Sequence, residues 1–441
     1  MESEARLPRA KTLLLIVGGV ALLVAVAFGR ALHQGFSPID DAFLIVRNLG
    51  VHGVTRENLR HIFTTFDPEL YIPLTLFTFQ LDYMLGSLNP TVFHFTNLFL
   101  HTLNALLVGW FLLLLTGQRT GALIAGLLFA VHPLHTEAVV WIAGRKDLLS
   151  TFFFLLSLIF YLRRETRASY AWSLCFFLCA LLSKAMAVTL PLVLVLIDVL
   201  HRKQPLRWRV LADKLPFIAL SVFFMFIATA GKERVIGSAT VWETILMAGR
   251  STVFYVEKLL VPFPLAAFYT HRGPVTLFDP RFALPWVFLI VVALIVVILA
   301  VRGTRPLIPS LSFGVLFFVS TLAPTFLNFR KGAETFVAVD RYAYLPSVGL
   351  LLLAIVAIAA GYEYFTVRRA TMRSVGYCFV VIIGMLFTIL SIRQTRLWDT
   401  PETLYRNALV VQPESLGARI SLVKLLRERG ELQEAFALLK E

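Results

Sequence analysis

Residues 12–32 read TLLLIVGGVALLVAVAFGRAL. A helix needs roughly 20 apolar residues to cross the ~30 Å hydrocarbon layer of a bilayer, and this run supplies them. It lacks a small-residue cleavage site ahead of the acidic pair Asp40 and Asp41, so it reads as a retained span rather than a removed signal peptide. Comparable runs recur near 91–115, 121–141, 148–162, 169–183, 187–200, 215–231, 284–301, 307–327, 343–362 and 374–392. With 58% apolar residues, 38 phenylalanines and a mean hydropathy of +0.77, the 441-residue chain carries far more apolar surface than a soluble domain can hide. The expected fold is an all-α polytopic membrane protein with about eleven transmembrane helices.

The formal charge of +14 gathers in short connectors: RRETR (163–167), HRKQPLRWR (201–209), RGTR (302–305) and VRRATMR (367–373). Alternating the sides places all of them in the cytoplasm, together with the N-terminal ARLPRAK (5–11). Charge distributed in this way is a topology signal and argues against nucleic acid as a partner. An odd number of spans leaves residues 201–214 inside and residue 441 outside, as in a bacterial cytoplasmic (inner) membrane protein with a periplasmic C-terminus. STVFYVEKLLVPFPLAAFY (251–269) would add one more span and break this alternation. Glu257 and Lys258 in its middle, and the prolines after them, mark it as re-entrant or interfacial. Cys175, Cys179 and Cys378 lie inside apolar runs without CxxC spacing and read as core residues.

The outer side then holds a first loop (33–90), turns near 132–147 and 183–187, loops around 232–283 and 328–342, and a tail from 393. TRENLRHIF (55–63) begins with Thr55 as an N-cap and sets Leu59, Ile62 and Phe63 at helical spacing, as a surface helix does. The chain thus divides into a membrane domain, 1–392, and a helical tail, 393–441. In the tail, Tyr405, Ala408 and Pro413, then Ala435 and Leu439, match the tetratricopeptide register of about 34 residues, although a generic helical hairpin fits too. Roughly three such units are needed to bury their faces, so a tail this short is expected to dock on the membrane domain or on a protein partner.

FSPIDDAFLIVRN (36–48) sets two adjacent acids just behind the first span of a chain with only 15% charged residues. Asp40 could N-cap a helix beginning DAFLIVRN, where Asp is favoured and suits the dipole. Alternatively the pair performs acid–base chemistry, one charge raising the pKa of the other. On that reading Asp41 is the preferred base, because Asp40 is the better-placed cap. His94, Asn97, His101 and Asn104 form one helical stripe, suited to interhelical hydrogen bonds or to ligand binding. His132, His135 and Glu137 suggest zinc, but Pro133 breaks the helix an HxxH pair would need, so a divalent metal is not expected. Arg145, Lys146, Lys184 and Arg341 are either snorkelling anchors or a phosphate site. Acids, cations and histidines gathered at one membrane face suit a lipid-phosphate sugar donor: cations stabilise the leaving phosphate and a carboxylate takes the acceptor hydroxyl's proton. A transporter would place charges at the midplane and show internal repeats.

YIPLT (71–75), FHFTNLFLHTLNALL (93–107), HPLHTEAVVWIAGRKDLLS (132–150), LLSK (181–184), DRYAYLPSVG (340–349) and the closing helices resemble the tetratricopeptide-containing transmembrane O-mannosyltransferases and their bacterial relatives. The resemblance implies a GT-C type fold and an inverting glycosyltransferase. Its donor would be a polyprenyl-phosphate sugar, mannose or similar, and its acceptor an external hydroxyl on a protein Ser/Thr or a glycan. It implies Asp40 or Asp41 as catalytic base. Tyr71, His94, Asn97, His132, His135, Glu137, Arg145, Asp147, Lys184, Arg341 and Tyr342 would line the donor and acceptor site. The chain departs from the family pattern at Ile72, where arginine is usual, at Ala185, where an acid often follows the lysine, and in its far shorter repeat array. The alternative is a catalytically degenerate scaffold, or a lipid-linked-glycan binding protein, acting through its tail.

Overall fold

The apolar runs fold as helices, and the computed structural model describes residues 10–67, 69–164, 166–232, 239–301, 308–331, 334–366 and 371–440. The basic connector at 302–305, much of the one at 367–373, most of ARLPRAK and residue 441 lie outside these residues. Among the described residues, Ala10–His33, Pro90–Thr116, Pro309–Leu327 and Val375–Arg396 are long and apolar enough to cross a membrane. Arg119–Val131 with Pro133–Val140 would make a fifth span if the bent pair counts as one. Shorter apolar helices, including Arg167–Ser183, Ala185–His201 and Leu215–Gly231, occupy other expected spans. The protein is an integral membrane protein whose spans are less uniform than eleven like helices.

One expected span differs in a physically instructive way. The run 121–141 is not one straight helix: it bends by 52° at His132–Pro133, where proline has no N–H to continue the ladder. Short helical turns follow, Pro133–His135, Thr136–Val140 and Ile142–Gly144, before the long helix Arg145–Leu162. Gly144 lets this knot close, since a Cβ there would stand 2.6 Å from the Ala138 carbonyl oxygen. Every residue from 130 to 151 is buried, so the motif is a wedge inside the domain.

The segment 251–269, expected to be re-entrant or interfacial, is not a single element. Its first half completes a helix, Val241–Leu260, started by a capping box of Thr240 and Glu243. Pro262 and Pro264 then keep the chain out of the helix until strand β1, Tyr269–His271. With β2 (Arg330–Lys331) and β3 (Glu334–Ala338), it forms a small antiparallel sheet in the order β1–β3–β2, added to an otherwise helical fold. Tyr269 pairs with Ala338, and Arg330 with Thr335.

Membrane-type packing holds the helices together. Gly109 and Gly126 let Pro90–Thr116 and Arg119–Val131 approach closely; a Cβ on Gly126 would lie 3.0 Å from the Ala105 carbonyl. At another crossing Ser157 Oγ donates to the Ser173 carbonyl at 2.7 Å, and Ser173 Oγ returns the bond to Ser157 at 2.8 Å. Where 163–167 and 201–214 meet, buried Lys214 and Asp198 pair and Arg164 pairs with Asp213. In the first outer loop the surface helix Arg56–Thr64 forms as expected, with Thr55 accepting from the Asn58 N–H. A second helix, Pro73–Gly86, runs through the YIPLT motif. The tail folds into Pro401–Val411, Leu416–Glu428 and Leu432–Lys440 around Tyr405, Leu422 and Leu426, and docks against Leu265 and Glu334.

Candidate functional site

Adjacent in sequence, Asp40 and Asp41 point to different environments. Asp41 is fully buried; its two oxygens accept from the Ser37 N–H at 2.8 Å and the Ala143 N–H at 2.9 Å. Those bonds tie the first outer loop to the knot at 132–150. Burial raises its carboxyl to about 7, although the two N–H groups oppose that shift. The Asp40 side chain is 42% exposed, and its Oδ2 lies 3.4 Å from Lys146 Nζ. Neither side chain makes a capping bond: Asp41 precedes the turn Ala42–Val46 without one, and Asp40 contributes only its backbone carbonyl, to Phe43 and Leu44. The capping reading therefore fails. The preference for Asp41 as base rested on that reading, and the carboxylate in the open position is Asp40.

Two clefts meet at Asp40. One brings it together with Tyr71, Lys146, Lys184 and Arg341, and its far wall is Phe224, Ile227 and Ala228 of the apolar helix Leu215–Lys232. The other, of about 220 Å³, is walled by Trp141, Tyr255, Phe268, Phe329 and Phe336, with β3 along one side. Asp40, Glu69, Asn328, Arg341 and Tyr342 belong to both. Each cation also has a carboxylate partner: Lys184 pairs with Asp147, Arg341 with Glu137, and Lys146 with Asp40. Lys146 Nζ and Arg341 Cζ lie 4.5 and 4.9 Å from the Trp141 ring centre, and Lys184 Nζ lies 5.0 Å from that of Tyr342. Tyr71 is held by its hydroxyl, which donates to the Phe63 carbonyl at 3.1 Å.

Several expected site residues lie elsewhere. Arg145 is fully buried and salt-bridged to Asp82 on the Pro73–Gly86 helix. It donates to Asn97 Oδ1 at 2.8 Å and the Phe93 carbonyl at 2.7 Å, and packs 4.6 Å from the Phe79 ring centre. A guanidinium so fully engaged is not among the residues lining either cleft. Asn97 donates to the carbonyls of Val139, Trp141 and Ile142, tying its helix to the knot. His101 and Asn104 both reach the Tyr344 hydroxyl, at 2.7 and 3.2 Å, so this stripe is an interhelical hydrogen-bond ladder. His94 lies in a small recess with Asp41 and Trp398. His132 Nδ1 accepts from the Leu134 N–H at 3.2 Å, while its Nε2–H faces the Leu259 carbonyl at 3.0 Å. His135 bridges the Phe129 carbonyl and Ser347 at 2.9 and 3.2 Å. Among the described residues, no group of three or more His, Cys, Asp or Glu side chains is placed to hold a metal ion.

The clefts also use residues that sequence reasoning passed over. Glu69 is the acid beside YIPLT, an outer-loop charge next to a motif. Trp141 stands inside the most specific motif but reads there as one more apolar residue. Phe268 and β3 lie in a segment whose folding gave no periodic signal.

With this geometry in place, comparison with known proteins is informative. No family model matches the chain. Human protein O-mannosyl-transferase TMTC4 is 28% identical over 94% of this chain and 64% of its own length. The chain resembles the transmembrane O-mannosyltransferases. Xenopus laevis protein O-mannosyl-transferase tmtc2 is 42% identical over a shorter region, 29% of this chain and 16% of that protein. The chain therefore spans less than two thirds of the length of these curated relatives. In three dimensions it is similar to the Archaeoglobus fulgidus oligosaccharyltransferase solved with a tethered acceptor peptide. That likeness has a TM-score of 0.51 at 14% identity and covers 92% of this chain and 58% of that one. It shows the fold, a GT-C type membrane fold.

Proposed function

We propose that this chain is an inverting membrane glycosyltransferase that moves a sugar, mannose or similar, from a polyprenyl-phosphate donor to an external hydroxyl such as a protein Ser/Thr. The observation that carries the reading is Asp40 at the junction of two unlike clefts, one cation-walled with an apolar side, the other aromatic. The resemblance to the O-mannosyltransferases supports it along nearly the whole chain.

The donor phosphate lies among Lys146, Lys184 and Arg341, and its polyprenyl chain leaves past Phe224 and Ile227 into the bilayer. The acceptor hydroxyl enters through the aromatic cleft. Asp40 takes its proton as the oxygen attacks the anomeric carbon from the face opposite the phosphate. The bond between that carbon and the phosphate oxygen breaks, and the lipid phosphate leaves with the electron pair, its charge held by the three cations. Attack from the opposite face inverts the anomeric centre. Lys146 pairs with Asp40 when no donor is bound; a donor phosphate competes for that ammonium and frees the carboxylate to act as base. Tyr71, Glu137, Asp147 and Tyr342 hold the cations and the walls. His94, Asn97, His132, His135 and Arg145 support the site from behind.

The N-terminus is cytoplasmic, and the clefts and tail face the periplasm of a bacterial inner membrane, in keeping with the basic connectors. The test is to incubate purified protein with a panel of polyprenyl-phosphate monosaccharides and a serine/threonine peptide pool, following donor consumption and transfer. Donor binding without consumption across the whole panel would favour the scaffold or glycan-binding reading.

A further inference from the structure

The tail meets three walls of the aromatic cleft. Trp398 stacks on Trp141 with ring centres 6.5 Å apart at 25°, both rings buried. Asn407 Nδ2 donates to the Leu265 carbonyl at 3.0 Å. Just beyond, Phe268 lines the cleft and packs against the tail core built on Tyr405, Leu422 and Leu426. The Gly417 N–H donates to Glu334 Oε1 at 2.6 Å, at the start of the strand whose Phe336, Val337 and Ala338 line the same cleft. The two groups approach closely: a Cβ at 417 would stand 2.8 Å from Glu334 Oε2, at the movable end of that side chain. The base of the tail is itself anchored: Asp399 accepts from the Arg30 guanidinium at 2.7 to 2.9 Å and from Gln34 Nε2 at 2.8 Å.

These contacts are unevenly distributed. The loop at Leu265–Phe268 and strand β3 belong to the aromatic cleft alone, whereas Tyr71, Lys184 and Phe224 of the cation cleft are set by the first outer loop and by the helices around them. We infer that the tail is the outer clamp of the acceptor cleft: Asn407 and Glu334 are positioning residues that hold two of its walls, so that acceptor binding depends on them and donor binding does not. The inference rests on assigning that cleft to the acceptor. It gives the tail a role in the site apart from any protein it recruits.

The test uses the full chain in lipid nanodiscs, with Asn407→Ala, Glu334→Ala and the conservative Glu334→Gln, which keeps an acceptor oxygen for the Gly417 N–H. Hydrogen exchange reports the walls directly. Asn407→Ala should speed exchange at 265–271 and Glu334→Ala at 334–339, with 145–162 unchanged and Glu334→Gln close to wild type. Kinetics with undecaprenyl-phosphate mannose and a threonine-containing peptide pool report the consequence. The KM for the pool should rise about fivefold in each alanine variant, on the scale of one neutral hydrogen bond, while donor KM and kcat hold and Glu334→Gln restores the pool KM. Unchanged exchange at both walls, or donor and acceptor KM rising together, would overturn the inference. If wild-type protein transfers nothing to the pool, the functional assignment fails separately, and exchange still decides whether the tail holds these walls.

Discussion

Lys146 Nζ stands 3.4 Å from Asp40 Oδ2, while the neighbouring Asp41 accepts two backbone N–H groups. A single peptide bond thus separates a carboxylate that faces an open cleft from a carboxylate that fastens the loop. The fastener holds the reactive group in place, because Asp41 joins the loop bearing Asp40 to Ala143, next to the helix that carries Lys146.

Asp41 makes stability depend on pH. Burial raises its carboxyl from 3.8 to about 7, so the folded protein keeps a proton that the unfolded chain has already released across that window. Where the folded state binds more protons, stability falls as pH rises, here from about pH 4 through about pH 7, and levels off above. The thermal midpoint of the purified protein should decline from about pH 5 to about pH 8, and Asp41→Asn should flatten that slope. Identical slopes in the two proteins would mean that Asp41 does not titrate in this range.

Arg145 is expected to act through folding. Its partner Asp82 is buried, and removing one member of a buried pair costs about 3–5 kcal/mol. Arg145→Ala should therefore lower expression and detergent stability sharply. Replacing both charges, Arg145→Leu with Asp82→Leu, should recover much of that stability and retain binding of undecaprenyl phosphate, measured by calorimetry. A stable double variant that no longer binds the lipid would return Arg145 to the donor site.

What could be read from sequence follows from where information is local. The apolar helices are legible because a bilayer demands long apolar runs, and part of the cleft because Asp40, Tyr71, Lys184 and Arg341 stand in motifs at the ends of those runs. The bend at His132 is written in Pro133, but the knot that follows depends on Gly144 meeting Ala138, a contact no periodicity announces. Asp82 is a single acid inside PLTLFTFQLDYMLG, so its claim on Arg145 was hidden. Which of Asp40 and Asp41 faces the cleft is decided by the turn at 37–41 and by an N–H from residue 143, a long-range contact. The small sheet escaped because β2 has only two residues and β1 three.

Topology is testable with cysteine. Lys203 lies on the expected cytoplasmic side, and Val410, 80% exposed, lies on the tail. Lys203→Cys should react with a membrane-impermeant maleimide only after permeabilisation, and Val410→Cys in intact spheroplasts. The reverse pattern would invert the orientation and move both clefts to the cytoplasm.

The decisive comparison is between the two neighbouring acids. Asp40→Asn keeps shape and hydrogen-bonding capacity but removes the proton acceptor, and a positioned general base contributes typically ~10²–10⁴ in rate. Asp40→Asn should lose that much turnover with its thermal midpoint and donor binding close to wild type, because the side chain is partly exposed and holds no backbone N–H. Asp41→Asn retains one acceptor oxygen for two N–H donors, so the loop loosens: turnover should fall less, and loop exchange at 37–41 should rise. The two variants thus separate chemistry from placement by different observables. If Asp41→Asn abolishes transfer while leaving exchange at 37–41 untouched, and Asp40→Asn transfers normally, the buried acid is the base and the open one is not.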